Sequence, residues 1–153
     1  VTVLDLWEGL TVLEPPIAEA AARRRRAPDL AAIAAVVEQA MHPDAGAAAR
    51  QAADFFRQLG DATHNRVLML GHEPLLQLLE PSLETMIDEV AQARYRIANA
   101  QRRILEAVRG VDPEAARTWA AKHIRDFRRG YDLAGIDLSH RVGAPVRRAA
   151  ARF

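Results

Sequence analysis

Residues 96–129 read RIANAQRRILEAVRGVDPEAARTWAAKHIRDFRR, and they hold two helices and the joint between them. Ile97, Ile104, Leu105 and Val108 fall on one side of a helix running from about Arg96 to Arg109. Gly110-Val111-Asp112-Pro113 then reads as a turn followed by an N-cap, with proline at the first helical position, where its missing N–H costs nothing. A second long helix follows from about Pro113 to Arg129.

Working outward, the same spacing recurs along most of the chain. Leu4, Leu6, Leu10, Leu13 and Ile17 build one face of an opening helix, which Thr2 or Asp5 would cap. Pro15 and Pro16 should kink or restart it, and Arg23 to Arg26 close it at the negative helix end. Pro28 to Met41 forms a second helix, with Leu30, Ile33, Val36 and Val37 inward, and His42-Pro43-Asp44 is a break. About Ala45 to Thr63 forms a third helix around Phe55, Phe56 and Leu59, with His64-Asn65 a junction. Leu68 to Leu79 is a separate apolar stretch interrupted by Gly71 and Pro74. Pro81 and Ser82 then start another helix bearing Leu83, Met86, Ile87 and Val90. No segment alternates with period two for long enough to be a strand, so the fold class is all-α over residues 1–133. Residues 134–153 read as a C-terminal tail, small and basic from Val142 onward.

Composition narrows the function. Half of the 153 residues are hydrophobic, 27% are charged, and about a fifth are alanine, which orders in a helix at least cost. The net charge of +1 does not suggest a DNA-binding face by itself. The absence of cysteine excludes disulfides and thiol chemistry and fits a cytoplasmic location. There is no apolar run long enough to span a membrane and no signal-peptide pattern, so no membrane partner is expected. No Gly-x-Ser-x-Gly elbow, phosphate-cradling loop or His-Glu-x-x-His pair occurs, so the chain is not expected to be an enzyme. It opens at Val1 without an initiator methionine, which reads as part of a longer protein.

Three blocks in order resemble the FadR C-terminal (FCD) domain of GntR-family transcriptional regulators. The first is Leu6-Trp7-Glu8-Gly9-Leu10-Thr11-Val12-Leu13-Glu14-Pro15, continuing into Ala18 to Arg23. The second is Ala52-Ala53-Asp54-Phe55-Phe56-Arg57, closed by Asn65. The third is Gln101 to Ala107, then Asp112 to Ala116, then His123-Ile124. The resemblance implies an antiparallel bundle of six or seven helices with an internal effector cavity. It also implies homodimerisation, and DNA contact through a winged helix-turn-helix upstream.

Many members of that family hold a divalent metal through one Asp and three His, a donor set suited to zinc or nickel. On the matching positions this chain has Ala52, Phe56, Gln101 and His123, and the effector-pairing Arg of the opening helix is Leu10. The family metal site is therefore expected to be lost and no cofactor is expected. A register using Asp54 and Gln58 is the alternative, opposed by the Phe55-to-Asn65 spacing. The resemblance thus implies a ligand pocket of Leu10, Ala52, Phe56, Leu59, Gln101, Trp119 and His123. It would be drier than the family's and suited to a small-molecule effector of apolar, acyl or lipid-like kind. In the alternative, Phe56 plugs the cavity and the domain only dimerises.

Other features have two readings each. Trp119 and His123, one turn apart, would frame a ligand, or His123 would be a hydrogen-bonded core histidine under an aromatic. His64 and His72 share no ligand spacing with His123, although folding could gather them. Arg23 to Arg26 would touch DNA phosphates or form a solvated helix end. The dense segment Leu75, Leu76, Leu78, Leu79 and Leu83 reads as central core with part of a dimer face nearby.

Overall fold

The computed structural model describes residues 1–145 and contains six helices: α1 (Val3–Arg24), α2 (Ala27–Glu38), α3 (Ala45–Ala62), α4 (Arg66–Glu89), α5 (Ala93–Arg109) and α6 (Pro113–Leu133). The all-α expectation holds. The basic tail residues Arg147, Arg148 and Arg152 lie outside the described residues.

Caps set the helix starts. Thr2 and Asp5 act together, since Asp5 N–H donates to Thr2 Oγ1 at 3.1 Å and Thr2 N–H donates to Asp5 Oδ2 at 2.8 Å. That box holds the Asp5 carboxyl below its usual range. Asp44, Asn65 and Asp112 each accept backbone N–H groups at the starts of α3, α4 and α6.

The prolines depart from expectation. Pro15 and Pro16 lie inside α1, and Pro74 and Pro81 lie inside α4, so the two apolar stretches around residues 68–90 are one helix. A proline inside a helix deprives the carbonyl four residues earlier of its donor. Those carbonyls belong to Thr11, Val12, Leu70 and Gln77, all exposed residues, so they are open to solvent in place of the lost donor. The helices continue because the residues that carry the orphaned carbonyls face outward.

The helices pack antiparallel around one core. Trp7 Nε1 donates to the Ile124 carbonyl at 3.0 Å and Arg117 pairs with Glu19 at 2.9 Å, so α1 and α6 run in opposite directions. Arg57–Glu73 and Arg50–Glu80 set α3 and α4 likewise. Leu6, Leu10, Ile17, Phe55, Phe56, Leu59, Leu76, Leu79, Leu83 and Phe127 are nearly or wholly inaccessible and dominate the interior. At about 1.5–3 kcal/mol for each large side chain buried, this interior is the main stabilising contribution.

The arginines that close α1 mostly fasten other elements. Arg25 donates to the Val108 and Arg109 carbonyls, satisfying the end of α5, and Arg24 donates to the Thr63 carbonyl. Arg23 pairs with Glu19. Arg94 donates to the carbonyls of His42, Pro43 and Ile87, which ties the α2–α3 loop to the end of α4.

Beyond α6 the chain returns to the start of α1. Val3 N–H donates to the His140 carbonyl and Leu4 N–H to the Leu138 carbonyl, both at 2.9 Å, and Val142 N–H donates to the Val1 carbonyl. Donors left over at a helix N-terminus are thereby paired by the C-terminal segment. Ile136 and His140 are each 5% exposed, so this segment packs on the bundle.

Candidate functional site

His123 is wholly buried on α6, and its ring is enclosed by phenylalanines. Phe56 stacks on it with centroids 5.4 Å apart and planes 20° apart, Phe127 lies at 4.6 Å and Phe55 at 6.4 Å. Neither Nδ1 nor Nε2 has a hydrogen-bond partner. Burial disfavours the charged ring and lowers its pKa to about 4, outweighing the attraction of Asp126. His123 is therefore a neutral imidazole at pH 7 in an aromatic box, with no protein partner for either nitrogen.

The other positions fall into three groups. Leu10, Ala52, Phe56 and Leu59 are fully or almost fully buried in the same core as the box. Gln101 is also buried, but Gln51 engages it. Gln51 Nε2 donates to Gln101 Oε1 at 2.7 Å, Gln101 Nε2 donates to Gln51 Oε1 at 3.3 Å, and Gln51 Nε2 also donates to the Val36 carbonyl. Trp119 stands apart. It is half-buried, with Arg103 and Lys122 over its ring at 5.7 and 5.4 Å from the centroid. Trp119 and His123 do not frame one space, and His123 is not the hydrogen-bonded core histidine of the other reading. The aromatics on it are Phe55, Phe56 and Phe127.

The shifted register fails on geometry. Asp54 is partly exposed and pairs with Arg57 at 2.7 Å, while Arg57 also holds Glu73 at 3.0 Å. These carboxylates raise the Arg57 guanidinium, and Arg57 lowers Glu73.

A divalent metal does not suit this donor set. The side chains around His123 are aromatic hydrocarbon, and Gln101 has its amide committed to Gln51. Among the described residues no group of three or more His, Asp or Glu side chains is placed to hold an ion. His64 bonds to Asp29 at 2.8 Å and His72 to Glu14 at 3.2 Å, so folding separates these histidines from His123 and from each other.

The Glu14–His72 pair escapes sequence reading. Glu14 is wholly buried on α1 and His72 is 2% exposed on α4. Burial raises the Glu14 carboxyl, and the bond from His72 pulls partly the other way. Gly60 on α3 makes the room, because a Cβ there would overlap His72 Nε2 and Cε1. The partners lie 58 positions apart, a separation without sequence signature.

Two apolar-lined clefts lie elsewhere. One runs between the ends of α4, α5 and α6 past Met86, Ile97, Phe127 and Leu133, and another lies beside Val3, Ser82 and His140. Phe127 is shared between the first cleft and the aromatic box.

The FCD domain model matches residues 5–126. Among solved structures, a Streptococcus agalactiae GntR protein aligns at a TM-score of 0.67 and 27% identity, covering 83% of this chain and 58% of that one. The chain thus spans less than two thirds of that protein's length. No curated protein matches the chain. Among the described residues no helix is long and apolar enough to cross a membrane.

Proposed function

This chain belongs to the FCD domain family of GntR-type transcriptional regulators, and from that premise we propose that it is the effector-binding and dimerising part of a cytoplasmic, non-enzymatic DNA-binding regulator. A winged helix-turn-helix carried by the same polypeptide would supply the DNA contact. Its relation to the FadR subfamily rests on the three sequence blocks.

The carrying observation is His123: wholly buried, neutral, and without a partner for either ring nitrogen. A buried polar group left unpaired costs about 1–3 kcal/mol, and a ligand offering one donor or acceptor recovers part of that. The rest of the surround is apolar. The effector is therefore an uncharged or apolar molecule with a single hydrogen-bonding group, of which an acyl chain is one class, bound without metal. Phe56 and Phe127 must swing aside to admit it.

Phe56 stacked on His123 favours a second reading, in which the box is permanently filled and the domain only dimerises. A thermal-shift titration across acyl thioesters, free fatty acids and sterols separates the two. The effector reading expects a saturable rise in Tm with one class, diminished by His123→Leu. No response from any class leaves the dimerisation reading.

A further inference from the structure

We propose that the cleft beside Val3, Ser82 and His140 is a second ligand site, which takes a small organic amine with an apolar body. It stands apart from the His123 box and does not depend on the effector reading.

Three elements far apart in sequence build this cleft. Val3 opens α1, Pro81 and Ser82 lie within α4, and Ile136, His140 and Val142 belong to the segment that returns across the bundle after α6. Its volume is about 240 Å3. Pockets for drug-sized molecules run from about 300 to 1,000 Å3, so the guest is smaller than these. Val3, Pro81, Ile136 and Val142 are apolar walls, and burying an apolar body between them supplies most of the affinity.

His140 calls for a polar group on that body. It is 5% exposed, and its Nδ1 has no hydrogen-bond partner among the described residues. Its backbone is pinned on both sides. The His140 N–H donates to the Asp137 carbonyl, and the His140 carbonyl accepts from the Val3 N–H, each at 2.9 Å. The imidazole is thereby held in the cleft wall with hydrogen-bonding capacity unused, which a guest hydroxyl can take up. Ser82 shares a hydrogen bond with the Tyr131 hydroxyl and keeps acceptor capacity beside it.

Charge selects the class of guest. Thr85 also lines an adjoining cleft, whose other walls include Asp44, Glu84 and Asp88. Asp44 Oδ2 and Glu84 Oε1 each lie 3.3 Å from where a Cβ on Gly46 would stand, so the two carboxylates converge there. The ion pairs that α4 makes among the described residues use Glu73 and Glu80 rather than Glu84 or Asp88. No lysine or arginine lines either cleft among the described residues. A guest lying along His140 and Thr85 therefore presents its charged end to carboxylates alone. An ammonium is favoured there and a carboxylate is repelled.

Tyramine carries a phenol, an apolar ring and an ammonium in line. Tyrosol replaces the ammonium by a hydroxyl, and hydroxyphenylpropionate replaces it by a carboxylate. Isothermal titration of the chain with these three tests the site. Tyramine should bind saturably with Kd below about a millimolar, several-fold tighter than tyrosol, with hydroxyphenylpropionate weakest. The double variant Glu84→Gln, Asp88→Asn alters exposed side chains only and should bring tyramine down to the affinity of tyrosol. His140→Phe should weaken tyramine and tyrosol alike by roughly tenfold. His123→Leu should leave tyramine unchanged, which separates this site from the effector box. Tm of each variant verifies the fold. No saturable heat from any of the three overturns the site. Equal affinity for tyramine and tyrosol overturns the amine class, and tyramine binding that the double variant and His140→Phe both leave unchanged overturns the location.

Discussion

His123 is where a single residue sets the chemistry. Its pKa is lowered to about 4 in the folded chain from the ordinary 6.5 of an imidazole. Above pH 6.5 both folded and unfolded forms are neutral and this group adds no pH dependence. As pH falls towards 4 the unfolded chain takes up a proton that the folded chain refuses, so stability is lost across that window. The loss is on the order of 3 kcal/mol by linkage. Glu14 works in the opposite direction, because a raised folded pKa means that the folded chain holds its proton longer, and stability from that group grows as pH falls through the folded value. Comparing the chain with His123→Leu cancels Glu14. Urea melts should show the variant as stable as the parent or more stable at pH 7, by about 1 kcal/mol. It should lose far less than the parent between pH 6.5 and 4. Parallel profiles for the two would mean that His123 is not a buried neutral base. Block spacing singled out Leu10, Ala52, Phe56, Gln101 and His123 as pocket positions, and what the structure adds is that all five are buried. The Gln51–Gln101 and Glu14–His72 bonds were not legible, because each joins helices whose relative placement no local pattern encodes.

At the scale of elements, the helices were legible from apolar periodicity and caps, and the misreadings have one cause. Pro74 and Pro81 look like breaks in sequence, but whether a proline breaks a helix depends on where its orphaned carbonyl points, and that is a tertiary fact. Glycines follow the same logic. Gly60 looks like a weak point in α3, yet Gly60→Ala should destabilise by about 1–3 kcal/mol. The added methyl would displace His72 from Glu14, exceeding the roughly 1 kcal/mol that alanine brings to a helix. Chemical denaturation measures the difference, and a stabilised variant would show that the three-helix junction yields freely. The α5–α6 turn should behave inversely. Val111 sits at φ 54°, while Gly110 before it has an ordinary φ of −76°. A β-branched residue in the left-handed region is strained by about 1–2 kcal/mol. Val111 is also 53% exposed, so little packing is lost on replacement. Val111→Gly should therefore raise Tm by several degrees, and an unchanged or lower Tm would mean the strain is relieved by contacts of the valine itself.

Across the whole molecule, the FCD frame holds over residues 5–126, and the positions proposed to have exchanged the family's polar groups lie on α1, α3 and α5. If the block register is right, the metal chemistry should be recoverable by editing those points alone. Two imidazoles sharing one zinc ion, with Zn–N near 2.0 Å, hold their ring centroids about 5 Å apart. Phe56 and His123 already stand 5.4 Å apart. Ala52 lies one turn before Phe56 on the same face of α3, and Gln101 is buried and bonded to Gln51 of that helix. A chain carrying Ala52→Asp, Phe56→His and Gln101→His should therefore bind one zinc or nickel ion with His123. Without metal it should be less stable by several kcal/mol, because an unpaired carboxylate and two further imidazoles enter a dry core. With metal it should recover, showing a Tm that rises with ion concentration and collapses on chelation. The unedited chain should show neither response. A folded triple variant indifferent to metal would separate these four positions from one another and overturn the block register that equates them with the family's metal ligands.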